Sequence, residues 1–460
     1  MTRYHLIGIG GAGMAPVAEL LAARGLEVSG SDARPSAILD RLRAAGVRAH
    51  VGHDPAHVPQ HGTVVVSTAV RPDNPELLRA RELGLPVIHR SQALVVAAGD
   101  QDFVAVAGAH GKTTTSAMLA VALAEVGADP SWAIGGSVAG LGGGAHLGQG
   151  RAFVAEADES DGSFLNYRPA VGVVTNVEPD HLDHYGSRDA FEQAFVDFAA
   201  RVTGLLVVCA DDAGGRRLVD RVGPDVRVLT YGTGPGPVPT SGTGEGHVRI
   251  ADLEVGADGA SAVLHHPRVD RPVPLRLAVT GAHNVRNATG AWCAGVALGA
   301  DPVALAAALG AFRGTGRRFE ERGRAHGVRV VDDYAHHPTE VAATLAAARL
   351  AAGEGRVLVL FQPHLYSRTQ TFAAEFAAAL AAADAVVVTD VYAAREDPVP
   401  GVDGSLITDR LDGARYVADR YGAAAVVAGL ARPGDLVLTM GAGDVTELGP
   451  HILRLLAERA

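Results

Sequence analysis

At 460 residues the chain is longer than a single hydrophobic core usually supports, so about three domains are expected. Its 48% hydrophobic and 20% charged residues are ordinary for a globular protein, and a formal charge of −11 without a basic tail or dense Lys/Arg cluster argues against a nucleic-acid partner. No uncharged run of 18 apolar residues suggests a membrane span, the opening TRYHLIGIG reads as a buried strand rather than a targeting segment, and two cysteines, Cys209 and Cys293, fit neither a disulfide framework nor a thiolate metal site; a cytoplasmic protein is expected.

Residues 4–10 form a hydrophobic strand, and the turn Gly8-Ile9-Gly10-Gly11-Ala12-Gly13 leads into a helix running to about Arg24. Glu27–Gly30 starts a second strand with Ser31-Asp32 at its end, a helix follows near Ala37–Ala45, and Val64–Ser67 and Pro86–Ile88 read as short strands. This is the βαβ alternation of a parallel sheet, and the first domain, 1–99, ends near Gly99. Asp32 comes close to twenty residues after the last glycine, so a ribose or phosphate contact is geometrically open to it. A dehydrogenase is the obvious reading of such a fingerprint. It leaves a second nucleotide loop at 108–115 unexplained, whereas a phosphorylated nucleotide substrate accounts for both.

The second unit, 100–305, opens with a strand at Phe103–Ala107, then Gly108-Ala109-His110-Gly111-Lys112-Thr113-Thr114 and a helix to about Val126. Val106 stands where the full GxxxxGK[ST] pattern has glycine, so this is a shortened phosphate loop. Gly108 and Gly111 allow close backbone approach, the amides and helix N-terminus face the phosphates, Lys112 bridges them, and the Thr113 hydroxyl suits Mg²⁺. A plain strand-to-helix turn is the competing reading. Of 40 basic residues Lys112 is the sole lysine. Lysine is a compact point charge where arginine is a rigid fork, and its side chain is expected to face a solvent-filled site.

Ala152–Ala155, Val171–Thr175, Leu205–Val208 and Val226–Leu229 are further strand candidates, again with helices between them. Glu156-Ala-Asp158-Glu159-Ser160-Asp161 packs four carboxylates directly behind a strand, and Asp180-His181-Leu182-Asp183-His184 follows another. Asp158 to Asp161 read either as a solvated acidic face or as a cation-bound cluster. Glu156 differs because it terminates an apolar strand. Residues 232–278 look like an antiparallel insertion or edge sheet, and a helix spans about Asn284 to Leu298.

The third unit, 306–460, places strands at Val328–Val331, Val357–Phe361, Ala385–Val388 and Leu436–Thr439 with alanine-rich helices between. Arg317-Arg318-Phe319-Glu320 and Asp332-Asp333-Tyr334-Ala335-His336-His337-Pro338 describe a polar cleft, although either histidine could simply cap a helix. Phe361-Gln-Pro-His364-Leu-Tyr-Ser-Arg368-Thr sits at the carboxyl end of a strand, where α/β folds put ligand contacts.

GIGGAGM at 8–14, GKTTT at 111–115, EADESDGSF at 156–164, TNVEPDHLDHYG at 175–186, HNVRNA at 283–288, RRFE at 317–320 and DDYAHHPTEV at 332–341 together resemble the Mur ligases of bacterial cell-wall synthesis, nearly end to end. The resemblance implies an α/β protein of three domains: a Rossmann-like N-terminal domain for the UDP-sugar, a central P-loop ATPase-like domain and a Rossmann-like C-terminal domain. Within the family the strings look like the branch that uses ATP and Mg²⁺, with Mn²⁺ as a substitute, to join L-alanine to UDP-N-acetylmuramate through an acyl phosphate. A murein-peptide ligase is the alternative, and a non-catalytic nucleotide or UDP-sugar sensor is the reading from another class. By resemblance, Lys112 contacts the β/γ phosphates within the loop Gly108, His110, Gly111, Thr113 and Thr114. Thr113 meets the nucleotide-bound Mg²⁺, and Glu156 with His181 a second one. Asn287 approaches adenine, Arg318 the γ-phosphoryl group and Asp333 the ribose. Gly10, Gly11 and Gly13 make room for the UDP pyrophosphate, with Asp32 beside them, and Arg368 with His337 nearby takes the alanine carboxylate. The oligomeric state expected is a monomer or weak homodimer.

Two positions depart from the family. Ala109 stands where threonine is common, removing one hydroxyl from the loop. Leu365 stands where relatives often carry arginine, leaving Arg368 to hold the amino acid. The carbamylated lysine used by related ligases is impossible here, because Lys112 is the only lysine.

Overall fold

A computed structural model describes residues 2–136, 138, 140–236, 243–394 and 396–459, with backbone alone at 182, 183 and 243. Strands β1 (Arg3–Ile7), β2 (Glu27–Asp32), β3 (Arg48–Val51), β4 (Thr63–Val66) and β5 (Val87–His89) pair in parallel in the order β3-β2-β1-β4-β5. The order reverses at β1, so the glycine turn that follows β1 lies at the switch point of a doubly wound sheet. The next helix starts at Ala15 rather than at the last glycine, with Pro16 in its first turn, where a missing N–H costs nothing. Asn74 caps helix Pro75–Glu82 by accepting from the Glu76 and Leu77 amides at 3.0 and 3.2 Å.

The second sheet comprises β6 (Asp102–Ala107), β7 (Ser131–Ala133), β8 (Ala145–His146), β9 (Ala152–Glu156), β10 (Val171–Val174), β11 (Leu205–Cys209), β12 (Arg227–Gly232), β13 (Thr243–Gly256), β14 (Gly259–His265) and β15 (Val273–Leu277). Its order is β15-β14-β13-β12-β11-β10-β6-β9-β7-β8. Strand β6 therefore runs between β9 and β10, parallel to both. Helix Lys112–Glu125 leaves β6 with an almost unbroken buried run from Thr114 to Leu123, as a helix that is apolar on every side must. Leu6, Leu21, Phe103, Phe153, Phe164 and Phe195 belong to one continuous core.

The third sheet is β16 (Glu320–Ala325), β17 (Val328–Asp333), β18 (Val357–Phe361), β19 (Ala385–Val388), β20 (Arg415–Tyr416) and β21 (Leu436–Met440), ordered β16-β17-β21-β18-β19-β20. Only its β16–β17 pair is antiparallel among the pairs whose register is described. By contact density the chain forms two compact units, Met1–Leu253 with Ser261–Leu277 and Val285–Arg313, and Glu254–Ala260 with Ala278–Asn284 and Gly314–Ala460. Among the described residues no helix is long and apolar enough to cross a membrane. Cys209 and Cys293 are both buried and free.

The stretch 232–278, read as an antiparallel insertion or edge sheet, forms the edge: β13, β14 and β15 close one side of the second sheet. Strand β13 pairs with β12 in parallel, from Arg227 opposite Thr243 to Gly232 opposite Arg249. Residues 237–242 of the Gly/Pro/Ser segment lie outside the described ones. Strands β14 and β15 continue the edge.

Glu76, without solvent exposure, gathers a polar cluster on the first sheet. Its Oε1 accepts from the Asp54 amide at 3.1 Å and meets His57 Nδ1 at 3.0 Å. Its Oε2 meets His5 Nε2 at 3.4 Å and accepts from the Ser31 hydroxyl. Burial alone would raise the carboxyl, but the hydrogen bonds from His5 and Ser31 outweigh it and hold Glu76 at about 2. A carboxyl depressed by folding stabilises above its unfolded value of 4.5, and that contribution drains away as pH falls toward 2. Thermal melts of wild type and Glu76→Gln should show the wild type ahead at pH 7, by up to about 3 kcal/mol. That lead should shrink at pH 3. A lead that stays constant across this range would contradict the assignment.

Candidate active site around the phosphate loop

Four residues turn the chain from β6 into the helix at Lys112, and the neighbouring strands set their shape. Gly108 has φ +133°, and a Cβ there would lie 2.1 Å from Thr175 Oγ1 at the end of β10. Gly111 has φ +83°, and a Cβ there would lie 2.7 Å from Asn287 Oδ1. Both positions combine a left-handed backbone with no space for a side chain, so only glycine serves. Thr175 Oγ1 donates to the His110 carbonyl at 2.6 Å and Asn176 Nδ2 donates to the same oxygen at 2.9 Å. The His110 amide in turn donates to Asn176 Oδ1 at 3.1 Å, and its ring Nε2 lies 3.2 Å from Glu178 Oε2. Thr175 and Asn176 are thus the clamp of the loop. Sequence reasoning quoted them in a string without giving them a task; their place directly after an apolar strand was the available signal.

On the other side, β9 ends at Glu156, whose backbone pairs with Val106 of β6. Its Oε2 accepts from Thr113 Oγ1 at 3.1 Å and its Oε1 from the Gly135 amide at 2.7 Å. Burial raises the Glu156 carboxyl, against the lowering influence of the Gly135 amide and Lys112. A hydroxyl and a buried carboxylate in contact are a donor set suited to a hard divalent cation. His181, with φ +53°, follows β10; its amide donates to Asp180 Oδ1 at 2.8 Å and its Nε2 lies 3.6 Å from Asp180 Oδ2.

Within the acidic string Glu159 departs from a solvated face. Glu159 is fully buried, and both its carboxylate oxygens accept from Lys112 Nζ, at 2.9 and 2.8 Å. Nζ also donates to the Gly108 carbonyl at 2.7 Å and to that of Ala109 at 3.3 Å. The expectation that Lys112 faces a solvent-filled site is therefore overturned: its side chain keeps only 16% of its exposure. Burial pushes Glu159 up to about 7 even beside the ammonium, while Lys112 stays charged against burial because Glu159 and Asp158 surround it. Asp158 accepts from Arg90 Nη2 at 2.7 Å, and Asp161 Oδ1 accepts from the Ser163 amide at 3.0 Å. Lys112 and Arg90 are the cations that Glu159 and Asp158 meet.

The first glycine turn is closely packed. A Cβ on Gly10 would lie 2.9 Å from Asp32 Oδ2, and one on Gly13 would lie 3.2 Å from Arg90 Nη1. Both glycines therefore border protein side chains. Asp32 Oδ2 accepts from the Gly10 amide at 2.9 Å, so its carboxylate ties the turn to β2. Gly11 donates to the Gly8 carbonyl at 3.0 Å. Arg90, which no motif singled out, stands beside Gly13 and holds Asp158.

In the second unit, Arg317 and Phe319 both have positive φ, +58° and +50°, and Arg318 stands between them. Asp333, 4% exposed, holds this turn: Oδ2 accepts from the Phe319 amide at 2.7 Å, and Oδ1 from the Ala335 amide at 2.8 Å and Thr344 Oγ1 at 3.1 Å. Burial raises its carboxyl, against Arg318. Arg318 Nη1 donates to Glu340 Oε1 at 3.3 Å, and its guanidinium lies 5.2 Å from the Tyr334 ring centre. His337 occupies the N-cap position of helix Pro338–Ala352 but makes no side-chain cap; its buried ring packs edge-on against Phe372 at 5.0 Å. Nor does His336 cap: its Nδ1 lies 3.0 Å from the Tyr334 carbonyl. Arg368 is buried with Nη1 3.3 Å from His364 Nδ1, and Leu365 before it has φ +69°, unusual for a branched residue.

Three family models match: "Mur ligase family, catalytic domain" over residues 3–101, "Mur ligase middle domain" over 106–295 and "Mur ligase, glutamate ligase domain" over 317–443. The chain is 59% identical to the UDP-N-acetylmuramate--L-alanine ligase of Kineococcus radiotolerans, across 99% of this chain and 97% of that one. It is 52% identical to the Paenarthrobacter aurescens protein of the same name, with the same coverage. Among solved structures it resembles the UDP-N-acetylmuramate-alanine ligase of Thermotoga maritima, with 28% identity, all of both chains covered and a TM-score of 0.81. A murein peptide ligase from Psychrobacter arcticus aligns at 25% identity over 99% of each chain, with a TM-score of 0.72.

The clamp yields a direct expectation. Thr175→Val keeps the shape but removes the hydroxyl that donates to His110 O, leaving that carbonyl one bond short. Stability should fall by about 1–2 kcal/mol in thermal melts, and kcat/KM for ATP should fall about tenfold, as expected when a phosphate cradle loosens. Unchanged values of both would remove the clamp from the account.

Proposed function

The chain belongs to the Mur ligase family, and from that premise we propose that it joins L-alanine to the carboxylate of UDP-N-acetylmuramate in an ATP-dependent reaction. The carboxylate is first phosphorylated to an acyl phosphate. The alanine amine then attacks the acyl carbon and phosphate leaves, giving UDP-N-acetylmuramoyl-L-alanine, ADP and phosphate. The observation that carries the reading is the glycine loop from Gly108 to Gly111, with Lys112 and Thr113 at the helix start and Glu156 in contact with Thr113.

The chemistry asks mainly for positioning and charge, because a phosphoryl group in transfer carries negative charge on its outer oxygens. Backbone amides of the loop and the helix N-terminus offer that stabilisation without side chains, which is why Ala109 in place of threonine is compatible with the role. Lys112 is assigned to the β/γ phosphates and Arg318 to the γ-phosphoryl group. Mg²⁺, with Mn²⁺ as a substitute, supplies charge neutralisation at the phosphoryl oxygens when bound; Thr113 would hold the nucleotide-bound ion, and Glu156 with His181 a second one. The raised carboxyl of Glu156 fits this, since a buried acid is kept ionised best by an adjacent cation. Asn287 is assigned to adenine, Asp333 to ribose, Gly10, Gly11, Gly13 and Asp32 to the UDP-sugar, and Arg368 with His337 to the alanine carboxylate. Residues 1–99, 100–305 and 306–460 are the corresponding UDP-sugar, ATP and completing domains of a cytoplasmic monomer or weak homodimer.

The murein-peptide alternative shares the ATP chemistry and differs only in what is joined. ADP release is to be measured with UDP-N-acetylmuramate, Mg²⁺ and each of L-alanine, glycine, L-serine and a tripeptide. L-Alanine should give the highest kcat/KM, with glycine behind by roughly 10–200-fold, the range that one methyl in an apolar pocket supplies. Turnover with the tripeptide alone would replace the proposal with the alternative.

A further inference from the structure

We propose that Glu159 is a positioning residue for Lys112, a latch that holds the ammonium and that an incoming phosphate must displace. The inference rests on the reading of residues 108–113 as the ATP phosphate loop. An ammonium has three hydrogens. Lys112 directs them at four acceptors: the Gly108 and Ala109 carbonyls and both oxygens of Glu159. No hydrogen remains for a phosphate oxygen while the carboxylate is held by both its oxygens.

Glu159 is placed for this by contacts independent of its charge. Its carbonyl accepts from the Gly162 amide at 3.0 Å and from the Tyr185 hydroxyl, so the backbone is fixed whether or not Lys112 is engaged. The neighbouring acids have other partners, Asp158 with Arg90 and the Ser160 amide, Asp161 with the Ser163 amide. Glu156 is occupied with Thr113 and Gly135. Glu159 alone, among the acids of this string, spends both oxygens on the lysine. A buried lysine without it would be an uncompensated charge. The latch compensates that charge and lowers apparent nucleotide affinity by the factor by which the latched state outweighs the open one.

The test uses the full chain with Mg²⁺, ATP and no UDP-sugar, and reads ATP affinity by calorimetry. Glu159→Gln should bind ATP about tenfold more tightly than wild type, the effect of freeing a loop that is latched nine-tenths of the time. In a Lys112→Met background the same substitution should change nothing, because the latch acts only through the lysine. A residue needed merely for folding would instead lower the melting temperature and weaken binding in both backgrounds. If Glu159→Gln is too unstable to assay, Glu159→Asp, with its carboxylate drawn back by one methylene, should bind ATP more tightly than wild type. Unchanged or weaker ATP binding in a stably folded Glu159 variant, or an equal effect without Lys112, would overturn the latch. Absence of ATP binding by the wild type would overturn the ligase reading and the latch together, whereas normal binding indifferent to Glu159 would overturn the latch alone.

Discussion

Because β6 is hydrogen-bonded to β9 on one side and β10 on the other, the residues between its end and the next helix are confined from both flanks. From β10 come Thr175 and Asn176, which seize the His110 carbonyl; from β9 comes Glu156, which meets the first turn of the helix through Thr113. The confinement explains the glycines. At Gly108 a side chain would collide with Thr175, and at Gly111 with Asn287. A loop so narrowed presents backbone amides and little else, which is what a phosphate group needs from a protein.

Charge follows from the same placement. Four carboxylates stand within six residues at and behind the end of β9, and one as buried as Glu159 would be untenable unpaired. Each finds a different answer. Glu156 takes a hydroxyl and an amide, Asp158 takes Arg90, Glu159 takes Lys112 and Asp161 takes the Ser163 amide. Arg90 extends the network to Gly13 in the turn after β1. Arg90 thus stands between the turn after β1 and Asp158 of the acidic string.

Much of this was legible from residue order. The strand, glycine and lysine of the phosphate loop, the alternation of β and α, and the exceptional position of Glu156 at the end of an apolar run all carried through to the structure. What stayed hidden has physical reasons. Strands β3 and β16, RAHV and EERGRA, lie at sheet edges and are rich in charged or polar residues, so no hydrophobic run marks them. The parallel pairing of β13 with β12 is a contact that no local pattern encodes. The burial of Glu159 could not be read from a string of acids that are normally solvated; it depends on a lysine 47 residues earlier. Likewise Gly10 and Gly13 announce close approach without saying by what, and the approaching groups are Asp32 and Arg90.

The central claim is that residues 108–113 and Glu156 form one nucleotide and metal site. A crystal structure of the chain with Mg²⁺ and a non-hydrolysable ATP analogue tests it most directly. The account predicts phosphate oxygens against the amides of 108–113, Lys112 Nζ turned to them, and electron density for a cation shared by Thr113 Oγ1 and the phosphates beside Glu156. Phosphates bound away from this loop, or a cation held without either Thr113 or Glu156, would contradict it.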